Sequence, residues 1–214
     1  MNTKNVLLTG FEAFGGDTIN PSAEIARALE GRTILGRKVV GAILPCVFGE
    51  TRDALARLLR AHRPGLVICL GLAGGRAEIT PERVALNIVD ARIPDNVGEQ
   101  PVDAPVIRGG AAAYWSRLPI KAIVAALRAQ EIPAAVSQSA GSFVCNQVFY
   151  ALMHALRGQR AVKGGFIHVP FLPEQAQAGQ PSLPLGRMIE GITRAIEVSL
   201  TTHRDLRAVG GQTH

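Results

Sequence analysis

Among the three cysteines at positions 46, 69 and 145, Cys145 has the surroundings of a reactive thiol. It follows a short apolar stretch and the turn-forming run Ser139-Ala140-Gly141-Ser142, and it opens a segment with helical spacing. Unpaired N–H groups and the dipole at a helix start favour an anion, and so favour a thiolate. The same N–H groups can receive an oxyanion. The competing reading is a core cysteine, since Cys145, Phe149 and Leu152 also recur at helical spacing. Cys46 and Cys69 lie in or beside strand-like runs, which reads as core.

A thiol nucleophile needs a base and an acceptor to orient it. Of the five histidines, His62, His203 and His214 fall near a helix end or in the tail, and His154 falls on the polar side of a helix. His168 stands near the end of the strand-like run GGFIHVP. In parallel α/β sheets functional groups gather at the carboxyl ends of strands. A hydrogen-bonded core histidine is the alternative. Glu78, Glu82 and Asp90 are candidate acceptors, and Glu82 reads equally well as a capping acid if Thr80-Pro81 begins a helical turn. No second Cys or His stands at ligand spacing from Cys145 or His168, which argues against a metal site. The run GLAGGR lacks the Gly-Lys-Ser/Thr ending of a phosphate loop.

The elements that must position these groups alternate in type. Strands are predicted over 6–8, 39–44, 66–70, 84–89, 134–137 and 165–169. Helices are predicted after Asn20-Pro21, through Ala54–Leu59 with a stop at Pro64-Gly65, and over 120–129, 144–156 and 185–200. Strand–helix alternation implies an α/β fold: a single-domain, doubly wound α/β/α sandwich over 1–214 with a largely parallel, mixed central sheet. Residues 91–119 lack a period and hold the single Trp, Trp115, which suggests a lid or a subunit contact. The polar stretch 203–214 is expected to fray.

Bulk properties narrow the classes. A chain of 214 residues, 47% hydrophobic and 19% charged, supports one sizeable core. The formal charge is +6, but the basic residues are scattered arginines with no polybasic run, so nucleic acid is not an expected partner. Three widely spaced cysteines form no disulfide framework. The absence of a signal-like or membrane-length apolar run makes the cytoplasm the expected compartment and excludes a membrane partner.

Several segments, in order over nearly the whole chain, resemble the pyroglutamyl-peptidase type I (pyrrolidone-carboxylate peptidase) family: LLTGFEAFGG, NPS, GLAGGRAEITPERVALNIVDARIPDN, AYWSRLPIKAIV, IPAAVSQSAGSFVCNQVFYALMH and GGFIHVPFLPEQ. The resemblance implies a Cys–His–Glu triad of Cys145, His168 and Glu82. It implies a pocket for the pyroglutamyl ring at Phe11 and Phe14, with Phe143 and Val144 beside it, and Arg92 near the oxyanion. It implies no cofactor, peptide substrates with an N-terminal pyroglutamate, and a homo-oligomer, often a tetramer. Three positions depart from the common pattern: Ala13 for Pro, Leu72 for Gln and Gln147 for His. Leu72 keeps open a thiol amidase acting on another small lactam or amide. The basic charge keeps open a non-enzymatic binding protein for nucleic acid or an acidic partner, against which an intact triad argues.

Overall fold

The computed structural model describes residues 4–211. Eight strands and five helices follow in the order β1 (Val6–Phe11), α1 (Pro21–Leu29), β2 (Thr33–Ile34), β3 (Arg37–Leu44), α2 (Glu50–His62), β4 (Leu66–Leu72), β5 (Thr80–Leu86), β6 (Ala113–Trp115), α3 (Ile120–Arg128), β7 (Ser137–Ser139), α4 (Val144–Leu156), β8 (Lys163–Val169) and α5 (Leu185–Thr201). They form one sheet of order β2-β3-β1-β4-β8-β5-β6, with β7 on β5. The pairs β3–β1, β1–β4 and β4–β8 are parallel. β5 runs antiparallel to β8. The expected single-domain α/β sandwich with a mixed, largely parallel sheet is the fold observed.

Both faces of the sheet are covered, which explains the unbroken apolar runs of its central strands. Along β1, Val6 and Leu8 point into one core with Ile25 of α1, Ile123 of α3 and Ile192 of α5. Leu7 points into the other, with Leu55 of α2 and Val148 and Leu152 of α4. Along β8, Phe166 joins the α2–α4 core and Ile167 the opposite one.

Helix starts follow their capping chemistry. Asn20 caps α1, its Oδ1 accepting the Ser22 N–H at 3.1 Å, and Pro21 occupies the first turn. The α1 start lies so close to β1 that a Cβ on Gly10 would fall 2.2 Å from the Ser22 carbonyl oxygen. Only glycine fits there. α2 ends at Arg63 in the left-handed conformation (φ 41°), just before Pro64.

Three expectations need correction. Thr80 and Pro81 begin a strand, not a helical turn, and β5 lies at 80–86 rather than 84–89. Pro81 is tolerated because β5 pairs with β8 through only the Thr80–His168 and Pro81–Ile167 positions. The strand expected at 134–137 is instead a bridge at Ala134 followed by β7 at 137–139. Residues 203–211 of the polar tail are mostly exposed coil, yet they are tied down: Asp205 accepts the Lys121 and Ala122 N–H groups of the α3 first turn at 3.1 and 2.9 Å, and the Gly210 carbonyl accepts from Arg83. Residues 212–214 of that tail lie outside the described residues. The segment 91–119 is irregular as expected, apart from β6.

Asn146 fixes α4 against β5. Its Oδ1 accepts the Leu86 N–H at 3.0 Å, and its Nδ2 donates to the Leu86 and Ile88 carbonyls at 2.9 Å each. The side chain is fully buried. Replacing Asn146 by Ala strands these partly buried backbone groups and should cost about 2 kcal/mol. Urea unfolding checks this, with the midpoint lowered at an unchanged slope.

Cys69 of β4 is fully buried, and burial pushes its thiol up to about 12 from an ordinary 9.0. The folded state therefore holds the proton where the unfolded chain has lost it. This stability is complete below pH 9 and lost as pH rises toward 12, at about 1.4 kcal/mol per pH unit. Cys69→Ala should flatten the fall in urea-derived stability between pH 9 and 10. An unchanged slope would contradict this.

Candidate active site

Two side chains far apart in sequence meet at the carboxyl end of β8, and a third is held over the neighbouring strand. Glu82 comes from β5, His168 from β8 and Cys145 from the first turn of α4. Their union depends on strand direction. Antiparallel pairing sets Thr80 opposite His168, and Glu82, two residues on, returns to the same face within diagonal reach. Glu82 Oε1 lies 2.7 Å from His168 Nδ1. Glu82 is 0% exposed and His168 4%. A carboxylate only accepts, so the imidazole proton sits on Nδ1 and Nε2 is left as an acceptor.

The thiol is held over the neighbouring strand. Gly71 of β4 is the parallel partner of His168, so both present the same sheet face. A Cβ built on Gly71 would fall 2.9 Å from Cys145 Sγ and 2.7 Å from Cζ of Phe166. The Phe166 ring in turn packs 4.8 Å from the His168 ring, centroid to centroid, at 59°. Gly71 thus gives the space in which Sγ sits beside the imidazole row, and Phe166 forms its floor.

Two opposing influences act on Cys145. Burial pushes the thiol well above its ordinary range, and Cys46 and Glu82 add to this, whereas Arg76 pulls it down. The helix start also favours the anion. Phe143 caps α4 in an extended conformation, and its side chain takes up none of the first-turn N–H groups beside Cys145. With burial the largest influence, the resting group at neutral pH is a thiol rather than a thiolate.

The aromatic residues divide. Phe14 and Phe143 are partly exposed and pack with ring centroids 6.0 Å apart. Phe11 is 1% exposed, inside the core 6.5 Å from Phe166, and Val144 is 0% exposed. Arg92 is exposed and makes no hydrogen bond or ion pair with a described residue. The loop that carries it is nevertheless joined to the start of α4, since Asp90 N–H donates to the Ser142 carbonyl at 3.0 Å and Ser142 Oγ to the Asp90 carbonyl at 2.7 Å. Leu72 closes β4 opposite Val169 and is buried. Gln147 Oε1 accepts the Gly49 N–H at 3.2 Å, tying α4 to the start of α2.

Sequence reasoning missed four contributors. Phe48 meets Phe143 edge-on at 5.3 Å and completes an aromatic group with Phe14. Asp95 holds Phe48 in place by accepting its N–H at 2.8 Å, and also accepts the Val97 and Glu99 N–H groups at 3.0 and 2.9 Å. Glu12 Oε1 joins the loops after β1 and β3 to Asn96, accepting from Cys46 N–H at 3.0 Å and Asn96 Nδ2 at 2.9 Å. Arg76 donates from Nη1 to Glu82 Oε1 at 2.9 Å and to Thr80 Oγ1 at 2.8 Å. The one available signal was position, because Glu12, Phe48 and Arg76 all follow strand ends at the same edge of the sheet. Among the described residues no three His, Cys, Asp or Glu side chains converge to hold a metal ion, and no helix is long and apolar enough to cross a membrane.

Gly71→Ala tests the role of the space under Sγ. The added methyl would meet both Sγ and the Phe166 ring, so the thiol must shift by a large fraction of an ångström. A misplacement of that order costs about 100-fold in turnover. KM should change far less than kcat, and a fully active variant would contradict the placement.

The sequence model of the pyroglutamyl peptidase family matches residues 4–202. The pyrrolidone-carboxylate peptidase of Bacillus cereus strain Q1 is 54% identical over 214 residues, covering 99% of this chain and 100% of that one. That of Klebsiella pneumoniae strain 342 is 54% identical over 211 residues, covering 98% and 99%. Among solved structures, pyroglutamyl peptidase I of Bacillus amyloliquefaciens superposes with a TM-score of 0.92 at 45% identity, over 95% of this chain and 100% of that one. The pyrrolidone carboxyl peptidase of Thermococcus litoralis gives 0.93 at 40% identity, over 97% and 100%. The buried imidazole–carboxylate pair, the thiol at a helix start beside it and this agreement along the full length have one meaning: the chain belongs to the pyroglutamyl peptidase family of cysteine-type peptidases.

Proposed function

We propose that the protein hydrolyses the bond after an N-terminal pyroglutamyl residue of peptides through a thioester on Cys145, with His168 as general base and acid and Glu82 as its orienting acceptor. The observation that carries the reading is the shared row on one sheet face: Cys145 Sγ over Gly71, His168 beside Gly71, and Glu82 Oε1 2.7 Å from His168 Nδ1.

The chemistry follows from the protonation states. His168 Nε2 takes the Cys145 proton as sulfur attacks the pyroglutamyl carbonyl carbon. The oxyanion is met by first-turn N–H groups of α4, with Arg92 within the adjoining loop as an auxiliary cation. Collapse breaks the C–N bond, and the leaving amine receives the proton from His168. Water then attacks the thioester while His168 takes one of its protons. The C–S bond breaks, the sulfur is reprotonated, and free 5-oxoproline leaves. Throughout, Glu82 stabilises the imidazolium without itself taking the proton.

The substrate end is a neutral lactam ring with no free amine. The Phe14, Phe48 and Phe143 rings offer flat apolar walls suited to such a ring, and nothing in that group supplies a charge for an ammonium. Leu72 is buried at the end of β4, which favours recognition of the lactam by backbone groups and shape rather than by a side-chain amide there.

A chromogenic pyroglutamyl anilide, compared with prolyl and glutaminyl anilides, tests the reading. Wild type should prefer the pyroglutamyl substrate. Cys145→Ser and Glu82→Gln should each lose about 1,000-fold or more in kcat, by loss of the nucleophile and by misdirection of the imidazole tautomer respectively. Turnover by Cys145→Ser equal to wild type would overturn the assignment, and a clear preference for either other anilide would move the substrate to another small amide.

A further inference from the structure

We propose that Arg76 is a positioning residue for this reaction: it balances the buried Glu82 carboxylate and keeps the oxygen of that group aimed at His168. The inference rests on the triad reading above and adds a fourth group to it.

Glu82 has no exposed surface, and a fully buried carboxylate without a cation is costly to keep charged. His168 is neutral when the cycle begins, so it offers Glu82 a hydrogen bond and no charge. Arg76 supplies the charge. Its Nη1 lies 2.9 Å from Glu82 Oε1, the oxygen that His168 Nδ1 also uses at 2.7 Å. The second oxygen, Oε2, makes no hydrogen bond among the described residues. Both partners therefore converge on one oxygen, which fixes the carboxyl rotation.

Arg76 is itself fixed at both ends. The same Nη1 donates to Thr80 Oγ1 at 2.8 Å, and Thr80 is the strand partner of His168. At its base the turn after β4 is tied to β8 by the Ala73 N–H, which donates to the Val169 carbonyl at 2.9 Å. A Cβ on Gly74 would fall 2.3 Å from the Phe171 ring, so this turn is packed flat on the end of β8. The Arg76 side chain is 35% exposed, reaching from solvent into the buried pair.

The consequence for catalysis is a limit on the pull of Glu82. An acceptor shared with a cation attracts the imidazole proton less than an isolated buried carboxylate does. Without the cation the buried carboxyl takes up a proton more readily, and a protonated Glu82 no longer orients His168. Loss of Arg76 should therefore disable the enzyme first on the acid side.

The experiment is the pH dependence of kcat/KM on a pyroglutamyl anilide for wild type, Arg76→Gln, Arg76→Lys and Cys145→Ser, with thermal unfolding of each. Arg76→Gln should lower kcat about 10- to 100-fold, as loss of a partner behind a reacting group commonly does, with KM within about twofold. The acid limb of its profile should move to higher pH. Arg76→Lys keeps the charge and should recover to within about tenfold of wild type with the limb returned. Full activity in Arg76→Gln would overturn the proposal, as would lost activity with an unmoved limb and no recovery by lysine. If Cys145→Ser is inactive in either case, only the role of Arg76 fails. If Cys145→Ser is fully active, the triad reading fails with it.

Discussion

A carboxylate with no exposed surface lies 2.7 Å from a nearly buried imidazole, on strands that run in opposite directions. That pairing places demands on its surroundings. It needs a strand that enters the sheet against the direction of β8, so that Glu82 arrives beside His168 rather than at the far end. It needs a counter-charge, which Arg76 brings from the turn after β4. It also needs a floor that stops the ring from turning, which the Phe166 side chain provides. A wholly parallel sheet would send β5 the other way along β8 and separate the two groups.

The Cys145 thiol is positioned by a different element, so its alignment depends on how α4 docks. The docking is polar at its start and apolar along its length. Asn146 bonds to both Leu86 and Ile88 of the β5 end, and Val148, Phe149 and Leu152 pack into the core below. Cys145 is therefore tied to the strand that bears Glu82 through the residue that follows it. Gly71 leaves the gap that Sγ enters. The loops that carry Phe14 and Phe48 are joined to the loop after Arg92 by Glu12 and Asp95, whose carboxylates accept backbone N–H groups, and the turn that carries Phe143 is joined to the start of that loop through Ser142 and Asp90. Scaffold and site are thus fixed by the same short list of polar contacts within the protein.

Much of this was legible from residue order. Long periodic helices such as 144–156 and the apolar run at 66–70 were correctly placed, because burial on one stripe or on both faces leaves a pattern in sequence. β2 and β6, of two and three residues, are too short to carry a period. β5 was misplaced because Thr80-Pro81 has the local chemistry of a helix start, and tertiary pairing with β8 overrides it. Cys145 and His168 could be argued from strand ends and a helix start. Glu82 could not, since its merit depends on the register of one strand against another 86 residues away. Arg76 was invisible for the same reason. Its long side chain acts across a turn whose shape the residue types do not announce.

Acyl transfer through Cys145 requires a covalent intermediate at that sulfur. Rapid mixing of the enzyme with a pyroglutamyl ester, acid quenching and peptide mass mapping would locate it. The expected result is a mass increment of one pyroglutamyl group on the peptide containing Cys145, released by hydroxylamine as a thioester would be, with Cys46 and Cys69 unmodified. Steady turnover of the same ester with no adduct at Cys145, or with the adduct on another residue, would contradict it.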